Sequence, residues 1–181
     1  DQTAKGRTGL KNKEKRKTHP VAAFCSALGT VLLILVVVAA APAAVPRAFG
    51  LQVYEVISGS MAPEIPTGSL VYVRKAKAEQ IQAEDVIAYD GGGGALITHR
   101  VVENRTLMGE FVTKGDANEK EDPNPVSYDQ LRGQVVYSIP YLGWIAGLLS
   151  ETTGKLAAAG MIAAAVLLHV AAGIMFRKTE S

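Results

Sequence analysis

Three kinds of side chain that together perform hydrolysis occur in the middle of this 181-residue chain. Ser58 and Ser60 stand in SGSMAP, between the apolar run LQVYEVI and a second turn signal, IPTGS. Of the three histidines, His19 falls in a basic stretch and His169 in a long apolar block, which leaves His99 as the imidazole of the middle region. Acidic residues cluster in KGDANEKED, which contains Asp116 and Asp122. A serine hydroxyl is a weak nucleophile at its own pKa. A neutral imidazole near pH 7 can take its proton, and a carboxylate can hold the imidazole in the required tautomer. Each residue also has a plainer reading: turn serines, a strand histidine with an ordinary partner, and a solvated acidic turn. The order Ser, His, Asp permits the constellation without assembling it.

Lysine is the other base such a serine can use, and Lys75, Lys77 and Lys114 are available. Each reads more simply as an exposed charge at a strand end. A pH-rate profile separates the two, because imidazole titrates ordinarily near about 6.5 and a lysine base must be strongly depressed from about 10.4. The one cysteine, Cys25, lies in an apolar block, so the middle region has no disulfide, zinc cluster or thiol nucleophile. No cofactor or metal is expected. The run Gly91 to Gly94 lacks the lysine and hydroxyl of a phosphate loop and reads as a hairpin connection.

These side chains need a scaffold, and the composition around them is that of short strands. LQVYEVI (51–57), SLVYVRK (69–75), DVIAYD (85–90), ALITHRVVE (95–103), EFVTKGD (110–116) and QVVYSI (134–139) are rich in Val, Ile, Tyr and Thr. PEIPTG, GGGG and DPNP punctuate them, which is the pattern of an antiparallel sheet or barrel. The apolar segment IPYLGWIAGLL (139–149) follows, with Tyr141 and Trp144, rings that favour a membrane interface.

Hydrophobic residues make up 48% of the chain and aromatic ones only 6%, because much of the apolar content is not core. It is concentrated at Val21–Val45 and Leu156–Phe176, and neither block holds Asp, Glu, Lys or Arg. A bilayer's hydrocarbon core needs about 20 helical residues, so both blocks are long enough to span. The alternatives are a cleaved signal peptide for the first, given APAAVP, and a buried core helix for the second. The first is longer than a signal peptide's apolar region, and FRKTES after the second reads as a stop-transfer flank.

Lys5, Arg7, Lys11, Lys13, Lys15, Arg16 and Lys17 precede the first block, and Arg177 and Lys178 follow the second. The positive-inside bias therefore puts both flanks in the cytoplasm and the middle region outside. That region carries nine basic and fourteen acidic residues, so the overall charge of +2 conceals a basic end and an acidic middle. The basic run abuts a span and has no interleaved aromatics to stack on bases, so no nucleic-acid partner is expected.

Three motifs resemble those of type I signal peptidases, serine peptidase family S26, in the branch of the endoplasmic reticulum that also occurs in archaea and some Gram-positive bacteria. They are SGSMAP at 58–63, THRVV at 98–102 and TKGDANEKED at 113–122, in the family's order, within a resemblance that covers roughly Val53 to Tyr141. The resemblance implies Ser60 as nucleophile and His99 as base, in the place where the common bacterial branch has a lysine. It matches two acidic positions to Asp116 and Asp122. Asp122 is expected to orient His99, with Asp116 as its support, and the reverse assignment stays open. Ser58 is the implied hydroxyl donor to the oxyanion, beside the nucleophile's own N–H. The family often has two asparagines after the Gly-Asp pair, where this chain has Ala117 and Asn118.

The expected fold is mainly β: an antiparallel β catalytic domain of signal-peptidase type flanked by two transmembrane helices. Its parts are a basic cytoplasmic tail (1–20), a span (21–45), the extracytoplasmic domain (46–154), a second span (155–176) and a short tail (177–181). The implied activity is cleavage of signal peptides from exported preproteins, with small residues at the first and third positions before the cut. Membrane lipid and preproteins are the expected partners; accessory subunits are not legible. The rival is a non-catalytic, membrane-tethered β-domain that binds or assembles exported proteins. A self-cleaving repressor would carry a lysine base and a DNA-binding domain, and this chain has an apolar block instead.

Overall fold

The computed structural model describes residues 20–180. The basic stretch with His19, and the side chain of Lys178, lie outside the described residues. The elements run α1 (Pro20–Ala48), β1 (Gln52–Glu55), β2 (Leu70–Arg74), β3 (Val86–Asp90), β4 (Leu96–Arg105), β5 (Glu110–Lys114), β6 (Val126–Ser127), β7 (Leu131–Ile139), α2 (Leu142–Ser150) and α3 (Thr152–Glu180). The strands form one curled sheet in the order β1-β2-β7-β3-β4-β5-β6, with every neighbouring pair antiparallel. The protein is a mainly-β domain between two long apolar helices.

All six strands expected from composition are present, most of them trimmed at their ends. β6 was not expected; two residues are too few to show a period, and it forms because Phe111 and Glu110 of β5 offer it partners. β2 reads LVYVR with four of five residues buried, the near-continuous apolar run of a strand covered on both faces. One apolar cluster joins Ile87, Tyr89, Val101 and Phe111, and another joins Met61, Ile65, Val71, Val73 and Ala88. The second cluster anchors the SGSMAP turn through Met61, which is 1% exposed. The four-glycine run turns β3 into β4, with Gly92, Gly93 and Gly94 at φ of 87°, 62° and 85°, where a side chain would be strained.

α1 and the Thr152–Arg177 part of α3 are long and apolar enough to cross a membrane, with mean hydropathies of 2.8 and 2.1. Only 11% of the most apolar stretch of each is buried, unlike the core helix of a globular domain. The two pack on each other through small residues seven apart, Ala22 and Gly29 on α1 and Ala165 and Ala172 on α3, which lets the backbones approach. Gly29 leaves the space that His169 fills, since a Cβ there would lie 2.5 Å from Nδ1. His169 Nδ1–H donates to the Ala165 carbonyl at 2.8 Å, and Nε2 lies 3.3 Å from the Thr30 hydroxyl. The segment after β7 turns at Tyr141 into α2, and Tyr141 is exposed together with Trp144, Ile145 and Leu148 of the helix.

Candidate active site

His99 lies on β4 opposite Ile87 of β3 and is 8% exposed. Val101, two residues on, pairs with Thr113 of β5. His99, Val101 and Thr113 therefore share one face of the sheet. After β5 the chain leaves the sheet through residues 115–121 and returns at Asp122, whose N–H donates to the Thr113 carbonyl at 2.8 Å. That return brings the Asp122 carboxylate to His99, with Nδ1 2.6 Å from Oδ2. An ionised carboxylate only accepts hydrogen bonds, so Nδ1 carries a proton and donates the hydrogen bond to Asp122. The same Oδ2 accepts a second bond, from the Thr113 hydroxyl at 2.6 Å.

The free side of the imidazole faces the SGSMAP turn. Ala117 N–H donates to the Ser60 carbonyl at 2.9 Å, which ties the third motif onto the first. Gly115 makes the approach possible: a Cβ there would sit 2.6 Å from the Ser60 carbonyl oxygen, 2.8 Å from Asn118 Nδ2 and 3.0 Å from His99 Nε2. The Ser60 carbonyl oxygen and His99 Nε2 thus both border the space that one missing methyl group leaves open. The Ser58 and Ser60 hydroxyls are 3.4 Å apart. By contrast, a Cβ at Gly59 would meet only the Thr67 hydroxyl, at 3.7 Å, so that position is open to the outside.

The two acidic positions separate. Asp122 is on His99, whereas Asp116 gives both oxygens to Arg100, accepting from Nε at 2.8 Å and from Nη2 at 2.7 Å. Arg100 also donates from Nη1 to the Glu84 carbonyl at 2.8 Å. The hydrogen bonds that Arg100 donates to Asp116 raise its guanidinium above its ordinary value, so the charge there is permanent. Next along β4 from His99, Arg100 projects from the other face of the strand, and its clamp holds the start of the loop that ends at Asp122.

Tyr89, on β3, is 6% exposed and sets its ring edge-on to His99 with centroids 6.3 Å apart. Burial pushes its phenol up, the Thr113 hydroxyl opposes this, and the Asp122 charge adds to it. Tyr89 is therefore neutral beside the carboxylate. Of the lysines weighed as bases, Lys75 and Lys77 are exposed. Lys114 pairs with Arg100 across β4 and β5, on the face turned away from His99, and lines a polar pocket with Glu84, Arg100 and Asp116.

A groove of about 280 Å³ runs past Ser58 and Ser60. Tyr54 to Ile57 form one wall, Gly94 to Thr98 the other, and Met61, Ile65 and Val71 line it as well. Sequence alone does not mark Thr113, Gly115 and Arg100 as parts of the arrangement. Thr113 and Gly115 lie inside TKGD and Arg100 follows His99, yet only the folding of the loop onto two strands shows what each touches.

No family model matches the chain. It is 37% identical over 108 residues to signal peptidase I W of Bacillus subtilis (strain 168), a match covering 58% of this chain and 56% of that protein. It is 32% identical over 107 residues to the signal peptidase complex catalytic subunit SEC11 of Colletotrichum graminicola, covering 53% and 62%. Over 109 residues it is 28% identical to the human subunit SEC11C, covering 53% and 56%. The chain thus spans a little over half the length of the curated relatives it matches, and over that stretch its similarity is to signal peptidases of a bacterium and of eukaryotes.

Proposed function

We propose that the chain is a membrane-anchored serine endopeptidase, a signal peptidase I, that removes N-terminal signal peptides from exported preproteins. The observation that carries this reading is the placement of His99 between the Asp122 carboxylate and the Ser60 turn. Ser60 Oγ attacks the scissile carbonyl carbon while His99 Nε2 takes the hydroxyl proton. Asp122 holds the Nδ1–H tautomer and balances the imidazolium that forms. The tetrahedral oxyanion is met by the Ser60 N–H and the Ser58 hydroxyl. Collapse breaks the C–N bond, the imidazolium proton goes to the leaving amine, and water activated by the same nitrogen then hydrolyses the acyl-enzyme. Asp116 acts through Arg100, holding the loop that delivers Asp122.

The substrate lies extended in the groove between residues 54–58 and 94–98, pairing with exposed backbone as an added strand. So small an apolar groove favours small side chains beside the cut. Spans at 21–45 and 155–176, within α1 and α3, put both flanks in the cytoplasm and the sheet with its Ser60 turn on the outer face. A preprotein's own apolar segment lies in the same bilayer, so tethering both partners in one plane raises their effective concentration.

The test is to reconstitute the full chain in liposomes with a preprotein and map the cut by mass spectrometry. Wild type should release the signal peptide at a single bond after a small residue, and Ser60→Ala should release none. Cleavage by purified Ser60→Ala protein at the wild-type rate rejects the reading. Wild type that binds preprotein and never cuts it points to the non-catalytic β-domain. Ser58→Ala should keep the cut site and lower kcat about 100-fold, the usual effect of losing one oxyanion donor. Single-turnover kinetics with the same substrate check it.

A further inference from the structure

Thr113 is fully buried on β5, on the same face as the equally buried Phe111. Valine has the same shape and suits such a strand position, so packing alone does not call for a hydroxyl there. A buried hydroxyl is costly unless it is hydrogen-bonded, and this one donates to Asp122 Oδ2 at 2.6 Å. The same residue also accepts the Asp122 N–H through its carbonyl at 2.8 Å. Asp122 sits at the end of a loop outside any strand, so nothing in its own backbone element orients its carboxylate. Thr113 grips it at the main chain and at the side chain, and passes the rigidity of the sheet to it.

We propose that Thr113 is the positioning residue of the His99–Asp122 pair, its hydroxyl fixing the carboxylate so that His99 stays protonated at Nδ1 and presents Nε2 to Ser60. This rests on the peptidase reading for its effect on rate, though not for its effect on the imidazole. With the hydroxyl gone, the carboxylate can rotate about its own side-chain bonds, and the bond to Nδ1 loses its fixed direction. Tyr89, neutral and edge-on to the ring, packs beside the pair. Its phenol also interacts with the Thr113 hydroxyl and the Asp122 carboxylate, while the 2.6 Å bond to Oδ2 is that of Thr113.

The variants are Thr113→Val, which keeps the shape, and Thr113→Ser, which keeps the hydroxyl. Thr113→Val should lower kcat about 10- to 100-fold with KM unchanged, the range for a lost hydrogen bond to a charged group. Thr113→Ser should recover to within about 3-fold of wild type. Proton NMR of detergent-solubilised Ser60→Ala protein with labelled histidine gives a readout independent of cleavage. The parent should show a far-downfield His99 Nδ1 proton, which Thr113→Val broadens or loses and Thr113→Ser retains. Equal kinetic losses in Val and Ser variants, or an unchanged Nδ1 resonance in Thr113→Val, would overturn the proposal. If wild type cleaves nothing, the peptidase reading fails and the resonance alone decides the role of Thr113.

Discussion

His99→Ala should lower kcat for signal-peptide release by about 10⁴-fold or more, with the cut site of any residual product unchanged. The size of the effect follows from the arrangement rather than from histidine as a type. Among the lysines weighed as bases, Lys114 lies on the wrong face of β5 and Lys75 and Lys77 are exposed, so none is placed to take over. On the proposed mechanism the Ser60 hydroxyl then keeps its proton, and the proposed oxyanion donors and the groove supply the residual rate.

Two further measurements separate loss of chemistry from loss of structure. Asp122 keeps its bonds to Thr113 in the variant, so the thermal unfolding midpoint in detergent should fall by only a few degrees. The double variant Ser60→Ala with His99→Ala should be no worse than either single one, because groups that act as a unit do not add. Processing within 10-fold of wild type by His99→Ala would remove histidine from the mechanism.

Gly115→Ala should cost about 100-fold in kcat/KM through one methyl group that touches no substrate. Alanine is not strained there by its backbone angles; the obstacle is space. The new carbon would stand 2.6 Å from the Ser60 carbonyl oxygen and 3.0 Å from His99 Nε2, and the first is backbone, which cannot swing aside as a flexible side chain would. Either the Ser60 turn moves away, breaking the bond from Ala117 N–H, or the loop backs off and draws Asp122 from His99.

Both routes separate Ser60 from His99, the proposed nucleophile and base, and a displacement of about 1 Å is enough to lose two orders of magnitude. Overpacking of this kind also costs about 1 to 3 kcal/mol of stability. Paired measurements of preprotein cleavage and chemical unfolding check the two together. A Gly115→Ala protein as active as wild type would mean that Ser60 and His99 do not need the close approach around this residue.

Much of the scaffold was legible in the chain because its signals are local. The apolar blocks at 21–45 and 156–176 announce helices of membrane-crossing length by composition alone, and the structure has long exposed apolar helices there. The six strands followed from β-branched and aromatic runs between turn residues, and the two-residue β6 did not, since it exists only by pairing with β5. The residues around the candidate site were also within reach: SGSMAP, His99 and the acidic cluster could each be picked out by type.

What sequence left open was contact between residues far apart in the chain. Asp116 and Asp122 read alike as carboxylates in one charged loop. Only the path of that loop sends the first to Arg100 and the second to His99, 23 residues away. Thr113 and Gly115 both read as ordinary residues of the EFVTKGD strand. Register across β4 and β5 put the threonine on the histidine's face, and the docking of residues 115–118 on the Ser60 turn made the glycine a spacer. Apolar runs and turn residues act within a few positions of themselves, so the sequence determines them directly. Hydrogen-bond partners and missing volumes are properties of surfaces brought together by the whole fold, and tertiary structure alone decided those.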